Sequence, residues 1–252
     1  MRAMILAAGL GTRLRALTDN RPKALVEIGS RTLLEITLAR LRAFGISDVI
    51  VNVHHFGDMI IEYLKTHNDF GMRIAISREE VLLDTGGGLK KAAYFFGDDS
   101  SSREVPFLVH NVDVISTIDL QRMVQFHTEN RALATLAVQG RETSRYLLFD
   151  NASELCGRRS GRDGATELVR SAEQVQPLAF CGIHVISPRF LALMSEEGAF
   201  SIITSYLRLA AQGEKILDFR ADEYYWRDLG KPENLVQAAE DMKQNVLLQY
   251  KS

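Results

Sequence analysis

The chain runs into its first strand almost at once and leaves it through glycines. Met4 to Leu6 is a short apolar run, and Ala7-Ala8-Gly9-Leu10-Gly11-Thr12-Arg13 comes next, with Pro22-Lys23 further on. Small residues after a strand let backbone N–H groups come close to a ligand and face it, which suits an anion. Arg13 and Lys23 bring the two side chains best matched to phosphate, a planar fork and a point charge. Such a loop predicts a polyphosphate site built from Leu6, Ala7, Ala8, Gly9, Gly11 and Thr12, with Arg13 and Lys23 beside it. Two familiar glycine patterns do not fit. A dinucleotide fingerprint needs a third glycine where Leu14 stands, and no Gly-Lys-Ser or Gly-Lys-Thr closes a P-loop.

Beyond this loop the chain alternates between the two hydrophobic periods. Helical spacing covers Thr32 to Phe44, Gly57 to Thr66, Gly88 to Phe96 and Ile118 to Glu129. Asp48 to Val53, Arg73 to Ser77, Phe107 to Val109 and Ala134 to Val138 read as strands. This order predicts an α/β fold, a Rossmann-like mixed and mostly parallel sheet with helices on both faces. From about Arg141 the pattern changes, and a small embellishment is expected. Tyr146 to Asp150 and Phe180 to Ser187 read as strands around a polar stretch, Gly157 to Gly164. Ser201 to Gln212 and Pro232 to Leu248 read as helices, with Lys215 to Phe219 and Tyr224 to Asp228 as short segments between them. At 252 residues, and with no linker or repeat, one domain over 1–252 is expected. Its parts are a nucleotide-binding region of about 1–140, a second region of about 141–230 and a C-terminal helix of about 232–248.

Apolar residues make up 46% of the chain and charged residues 25%, as in ordinary globular proteins. A net charge of −2 favours neither nucleic acid nor an anionic membrane, so the basic residues of the first loop are a local feature. Cys156 and Cys181 read as small buried hydrophobes. With no secretory signal or membrane-length apolar run, the expected compartment is the cytoplasm; a homo-oligomer is compatible with this composition.

Four more stretches carry chemistry. Asp84-Thr85-Gly86-Gly87-Gly88 predicts close backbone approach, because consecutive glycines are costly in chain entropy. Lys90 and Lys91 beyond it read as solvated helix charges. Asn111-Val112-Asp113 lies at the carboxyl end of a central strand, where open α/β sheets bind ligands. A carboxylate facing a polyphosphate there suits Mg²⁺, which prefers to bridge carboxylate and phosphate. Asp119 is the better cap for the following helix, and His110 reads as a packed neighbour. Trp226-Arg227-Asp228-Leu229-Gly230-Lys231-Pro232-Glu233 ends a short strand and opens the last helix. Phe180-Cys181-Gly182 begins another strand.

Together these motifs resemble the sugar-1-phosphate nucleotidylyltransferases, the nucleotide-sugar pyrophosphorylases, in their short form. The likeness is to mannose-1-phosphate guanylyltransferases and N-acetylmuramate-1-phosphate uridylyltransferases. It implies a nucleoside triphosphate and a sugar-1-phosphate as substrates, Mg²⁺ as cofactor, and a nucleotide sugar and pyrophosphate as products. By that resemblance Arg13 and Lys23 are catalytic, and Asp84, Thr85, Gly86, Gly87 and Gly88 join the first loop in binding the nucleotide. Asn111 and Gly182 bind the sugar, while Asp113 and Asp228 hold the metal. The family's Glu-Lys-Pro run is absent; Glu173-Gln174-Val175-Gln176-Pro177 stands there, leaving Arg141 and Arg145 as candidates for the sugar phosphate. A second enzyme class shares the opening signature. A phosphocholine cytidylyltransferase would need an aromatic cage, which Tyr224 and Trp226 could begin. A non-catalytic nucleotide-sugar sensor is the third reading, at odds with a full set of metal carboxylates and phosphate-gripping side chains.

Overall fold

The computed structural model describes residues 1–97, 105–160 and 164–244. Four strands form its parallel half: β1 (Arg2–Leu6), β2 (Asp48–Val53), β3 (Arg73–Arg78) and β4 (Phe107–Asn111), in the order β4-β1-β2-β3. The other strands of this sheet are β5 (Ala134–Gln139), β6 (Arg145–Phe149), β7 (Leu155–Ser160), β8 (Ala165–Leu168), β9 (Gln176–Ile186) and β10 (Ile216–Arg220). The long β9 joins the halves: it runs antiparallel to β4, β5 and β6, with Ile183 opposite His110. β6, β7 and β8 continue as an antiparallel meander, and β10 lies parallel to β5. One ten-stranded sheet therefore runs through both halves of the chain.

Among the described residues, six helices of two turns or more cover it. They are α1 (Leu33–Ala43), α2 (Gly57–Thr66), α3 (Asp84–Lys91), α4 (Leu120–Glu129), α5 (Ile202–Ala211) and α6 (Pro232–Lys243). The start signals are local. Thr32 Oγ1 accepts from Glu35 N–H at 3.1 Å, Asp119 Oδ1 accepts from Arg122 N–H at 3.0 Å, and Pro232 opens α6. Strand alternation then assigns the faces. Ala3 and Ile5 of β1 belong to one core with Leu34, Leu38, Ile60 and Leu64, while Met4 belongs to a second with Leu89, Tyr206 and Leu209. Both faces being covered explains why β2 is apolar almost throughout; its one polar residue past Asp48 is Asn52.

The mixed sheet with helices on both faces is as expected, but two segments differ. The helix predicted over Gly88 to Phe96 starts earlier, as α3 at Asp84, and a separate turn covers Tyr94–Gly97. The glycines thus sit inside the helix, where close neighbours leave no room for side chains. The polar stretch Gly157 to Gly164 is not one loop: Gly157 to Ser160 belong to β7 and pair with β8, with an exposed Arg158–Glu167 pair across the strands at 2.6 Å. The last helix ends at Lys243; its predicted continuation to Leu248 lies outside the described residues. Cys156 and Cys181 are both free and buried. Among the described residues no helix is long and apolar enough to cross a membrane.

Candidate active site

A cleft of about 580 Å³ opens at the carboxyl ends of the parallel strands. Register explains its floor. Leu6, at the end of β1, stands between Asn52 of β2 and Asn111 of β4. Leu6, Ala7, Ala8, Gly9, Gly11, Thr12, Arg13, Lys23, Asn111, Asp113, Asp84 and Thr85 all line the cleft. Gly11 has φ +66°, and a Cβ there would lie 3.0 Å from Thr18 Cγ2, so this turn needs glycine twice over. Thr18 Oγ1 donates to the Gly11 carbonyl at 3.0 Å and holds the turn.

Charge gathers at one end. Lys23, buried on a single 3-10 turn, donates its Nζ to Asp113 Oδ2. Asp113 reaches the second carboxylate through a two-stranded ribbon, Val114–Ser116 against Trp226–Asp228. Leu229 N–H closes that ribbon onto the Asp113 carbonyl at 2.8 Å. Asp228 Oδ1 accepts the Gly230 N–H at 2.6 Å. A Cβ on Gly230 would collide with the Arg13 guanidinium and lie 2.6 Å from Asp228 Oδ1, so glycine is what lets these groups converge. Arg13 is exposed and carries no ion pair among the described residues. Below this end, His110 is fully buried with Nδ1 2.7 Å from the Asn111 carbonyl; burial, with Arg40 near, pushes its pKa down to about 3.

The second glycine segment behaves differently. Gly86, Gly87 and Gly88 are buried and do not line the cleft, unlike Asp84 and Thr85 just before them. The N–H groups of Gly86 and Gly87 donate to the Phe200 carbonyl at 2.9 and 3.3 Å. A Cβ at Gly88 would lie 2.8 Å from both Asn52 Nδ2 and Glu79 Oε1. Gly182 likewise lies outside the cleft lining; its φ is +73° and a Cβ there would press on Asn111 Nδ2 at 2.8 Å. Its absent side chain sets the position of Asn111.

Arg141 and Arg145 also lie outside the cleft lining. The Arg141 guanidinium stacks on Trp226, 3.7 Å from the ring centroid, and donates from Nη2 to the Phe180 carbonyl at 2.9 Å. Burial lowers its pKa. Trp226 in turn donates Nε1–H to the Cys181 carbonyl at 2.7 Å, and the Tyr224 hydroxyl accepts from Arg122 at 2.7 Å. An aromatic cage from Tyr224 and Trp226 is therefore not formed: a guanidinium already covers the Trp226 face.

Residues 2–148 match the model of a family described as nucleotidyl transferase. This chain belongs to the nucleotidyl transferase family. An N-acetylmuramate alpha-1-phosphate uridylyltransferase of Caulobacter vibrioides is 35% identical over 243 residues, covering 92% of each chain. A mannose-1-phosphate guanyltransferase of Yarrowia lipolytica is 31% identical over 94% of this chain, which spans 62% of that relative. A crystal structure of UDP-glucose pyrophosphorylase superposes with a TM-score of 0.75 at 16% identity, covering 97% of this chain and 98% of its own. The family expected from the opening motif is the family found.

Two buried residues of this nucleotidyltransferase were not singled out from the sequence. Asn52 Oδ1 accepts the Ala7 N–H at 2.7 Å, and its Nδ2 donates to Glu79 Oε1 at 2.7 Å. Glu79 Oε2 accepts the Leu83 N–H at 2.9 Å. One carboxylate and one amide thus tie the first glycine loop to the start of α3. The available signal was Asn52 itself, a polar residue inside a β-branched run. Lys90 is not merely solvated, since its Nζ donates to the Glu196 carbonyl and to Glu197 Oε1, each at 2.6 Å.

Proposed function

We propose that this chain joins a nucleoside triphosphate to a sugar-1-phosphate and releases pyrophosphate. The observation that carries the proposal is the convergence of Arg13, Lys23 and Asp113 on one cleft at the carboxyl strand ends, with the Asp228 strand, itself outside the cleft lining, held against the Asp113 segment beside it. A sugar phosphate has its second pKa near ~6 and arrives as an oxyanion, so no general base is required. Its oxygen forms a bond to the α-phosphorus as the bond from that phosphorus to the bridging oxygen of the pyrophosphate breaks. The chain supplies alignment and charge neutralisation. Lys23 holds the α-phosphate and the incoming phosphate, and Arg13 receives the charge that builds on pyrophosphate. Backbone groups of Ala7 to Thr12 cradle the phosphates, Asp84 and Thr85 face the nucleoside, and Asn111 faces the sugar.

Among the described residues no group of three or more His, Cys, Asp and Glu forms a cation cage. One carboxylate at the end of the ribbon and one in the turn that enters it fit Mg²⁺, a hard cation that keeps waters and shares phosphate oxygens. Asp113 and Asp228 would hold it, and when bound it neutralises phosphate charge. Lys23 donates to Asp113 Oδ2, so the lysine and the metal would draw on the same carboxylate. Arg141 is the better candidate for the sugar-phosphate side, since its half-buried guanidinium stands on Trp226 two residues from Asp228.

The test is pyrophosphate release from four nucleoside triphosphates against a panel of sugar-1-phosphates. Uridylyl transfer to an N-acetylated amino sugar comes first, on the strength of the 35% identical relative of which 92% is covered. Release with no sugar phosphate of the panel, but with choline phosphate, would move the chain to the other enzyme class.

A further inference from the structure

The segment Ser195 to Phe200, from the second half of the chain, has no part in phosphate or metal chemistry, yet it is tied to α3 at both ends. Phe200 accepts the Gly86 and Gly87 N–H groups and donates its own N–H to the Leu83 carbonyl at 3.1 Å. Ile202 N–H donates to Thr85 Oγ1 at 3.0 Å, and the Gly198 carbonyl lies where any Cβ on Gly87 would have to go. At the far end of α3, Lys90 reaches the Glu196 carbonyl and the Glu197 carboxylate. From α5, Arg208 grips Glu196 as a fork, Nε to Oε1 at 2.8 Å and Nη2 to Oε2 at 3.1 Å, and also donates to the Leu193 carbonyl at 2.9 Å. Burial alone would raise the Glu196 carboxyl, but the hydrogen bonds from Arg208 and from backbone N–H bring it down to about 2.

The apex of this segment is not buried. Gly198 turns in the left-handed region at φ +70°, and the exposed Ala199 beyond it lines the cleft together with Leu82, Asp84 and Thr85. Gly86 and Gly87 of α3 are what admit it this closely: a Cβ on the first would strike Phe200 and on the second the Gly198 carbonyl. We propose that Ser195–Phe200 is a strap forming the nucleoside-side wall of the cleft, with Ala199 setting the width and Arg208, through Glu196, as a positioning residue. The inference rests on the nucleotidyltransferase reading. Ala199 selects for a base of limited bulk at that wall, while the phosphates and the sugar are handled elsewhere.

The test pairs equilibrium titration of a fluorescent N-methylanthraniloyl nucleoside triphosphate, without sugar phosphate, with steady-state kinetics. Ala199→Phe adds bulk at an exposed position. It is expected to weaken triphosphate binding and raise its KM by roughly ten-fold or more, with the sugar-phosphate KM within about twofold and Tm unchanged. Arg208→Ala should raise the triphosphate KM in the same selective way with kcat little changed, and Arg208→Lys should restore part of the loss, since an ammonium keeps one of the fork's contacts. Unchanged triphosphate affinity in Ala199→Phe, or a loss confined to the sugar phosphate, overturns the strap. An Arg208→Ala variant that loses Tm while both KM values stay put reduces Arg208 to a structural residue and overturns its positioning role. A wild-type chain that binds no nucleoside triphosphate overturns the nucleotidyltransferase reading itself, a result distinct from the others.

Discussion

Two glycine-rich segments flank the same cleft and solve opposite problems. At Gly9 the missing side chain leaves open space on the ligand side, since a Cβ there would meet nothing within 4 Å, while Gly11 two residues on makes the turn against Thr18 and Lys23. Along Gly86, Gly87 and Gly88 the space is already taken by Phe200, by Gly198 and by the Asn52–Glu79 pair. The first segment waits for something to approach, and the second has been approached. Clustered glycines announce close contact in both cases, but only the surroundings say whether the partner is a substrate or another part of the chain.

The largest effect should separate the segments by chemistry. Asp113→Asn keeps the size and one oxygen but loses the charge, and should lower turnover by roughly a thousand-fold or more at ordinary Mg²⁺, with the circular dichroism of the folded chain retained. Near-wild-type turnover would remove Asp113 from the metal site. Lys23→Ala should depress kcat far more than it weakens nucleotide binding, because its charge matters most as negative charge builds at the α-phosphorus. Arg13→Lys comes next. Losing the fork should cost roughly ten- to a thousand-fold in turnover while sugar-phosphate affinity is kept, as measured in both reaction directions. Intact pyrophosphate affinity with weakened sugar-phosphate binding would show that the two halves of the site are reversed.

The glycines themselves give the sharpest contrast. Gly87→Ala forces a Cβ against the Gly198 carbonyl, a backbone atom that cannot swing away. Overpacking of this kind costs about 1–3 kcal/mol, a fall in Tm of roughly 3–10 °C by calorimetry. Gly9→Ala should leave Tm within about 1 °C yet weaken triphosphate binding, since nothing in the protein occupies that space. If both variants lost stability equally, the distinction between the segments would fail.

The last effect leaves the chemistry untouched and concerns the buried histidines of the scaffold. His110 and His184 are buried on the adjacent strands β4 and β9, both pushed down to about 3 by burial, and His127 is lowered to about 4 for the same reason. A base whose folded pKa lies below its unfolded value stabilises the fold fully above the unfolded pKa, near ~6.5, and loses that contribution as pH falls toward the folded value. Thermal stability should therefore decline between about pH 6.5 and 4, by up to about 1.4 kcal/mol per pH unit for each histidine that protonates on unfolding. A flat Tm across that window would mean the histidines charge without unfolding.

Strand and helix periods, capping residues and the opening motif were legible in the sequence because each depends on neighbours a few residues away. Thr32, Asp119 and Pro232 act on helices they adjoin, and the alternation in β1 assigns its side chains to faces without any partner being known. Arg13, Lys23 and Asp113 could be singled out by their chemistry and Asp228 by resemblance alone. What they would touch was not legible. That Lys23 rests on Asp113, that Asn52 and Glu79 bridge the two glycine segments, and that a strap from residue 195 onward fills the space of Gly86 and Gly87 are contacts between parts of the chain far apart in sequence. No local period encodes them. The composition of a segment such as Asp84 to Gly88 determines only that something can come close; the tertiary structure decided that Phe200 and Gly198 came.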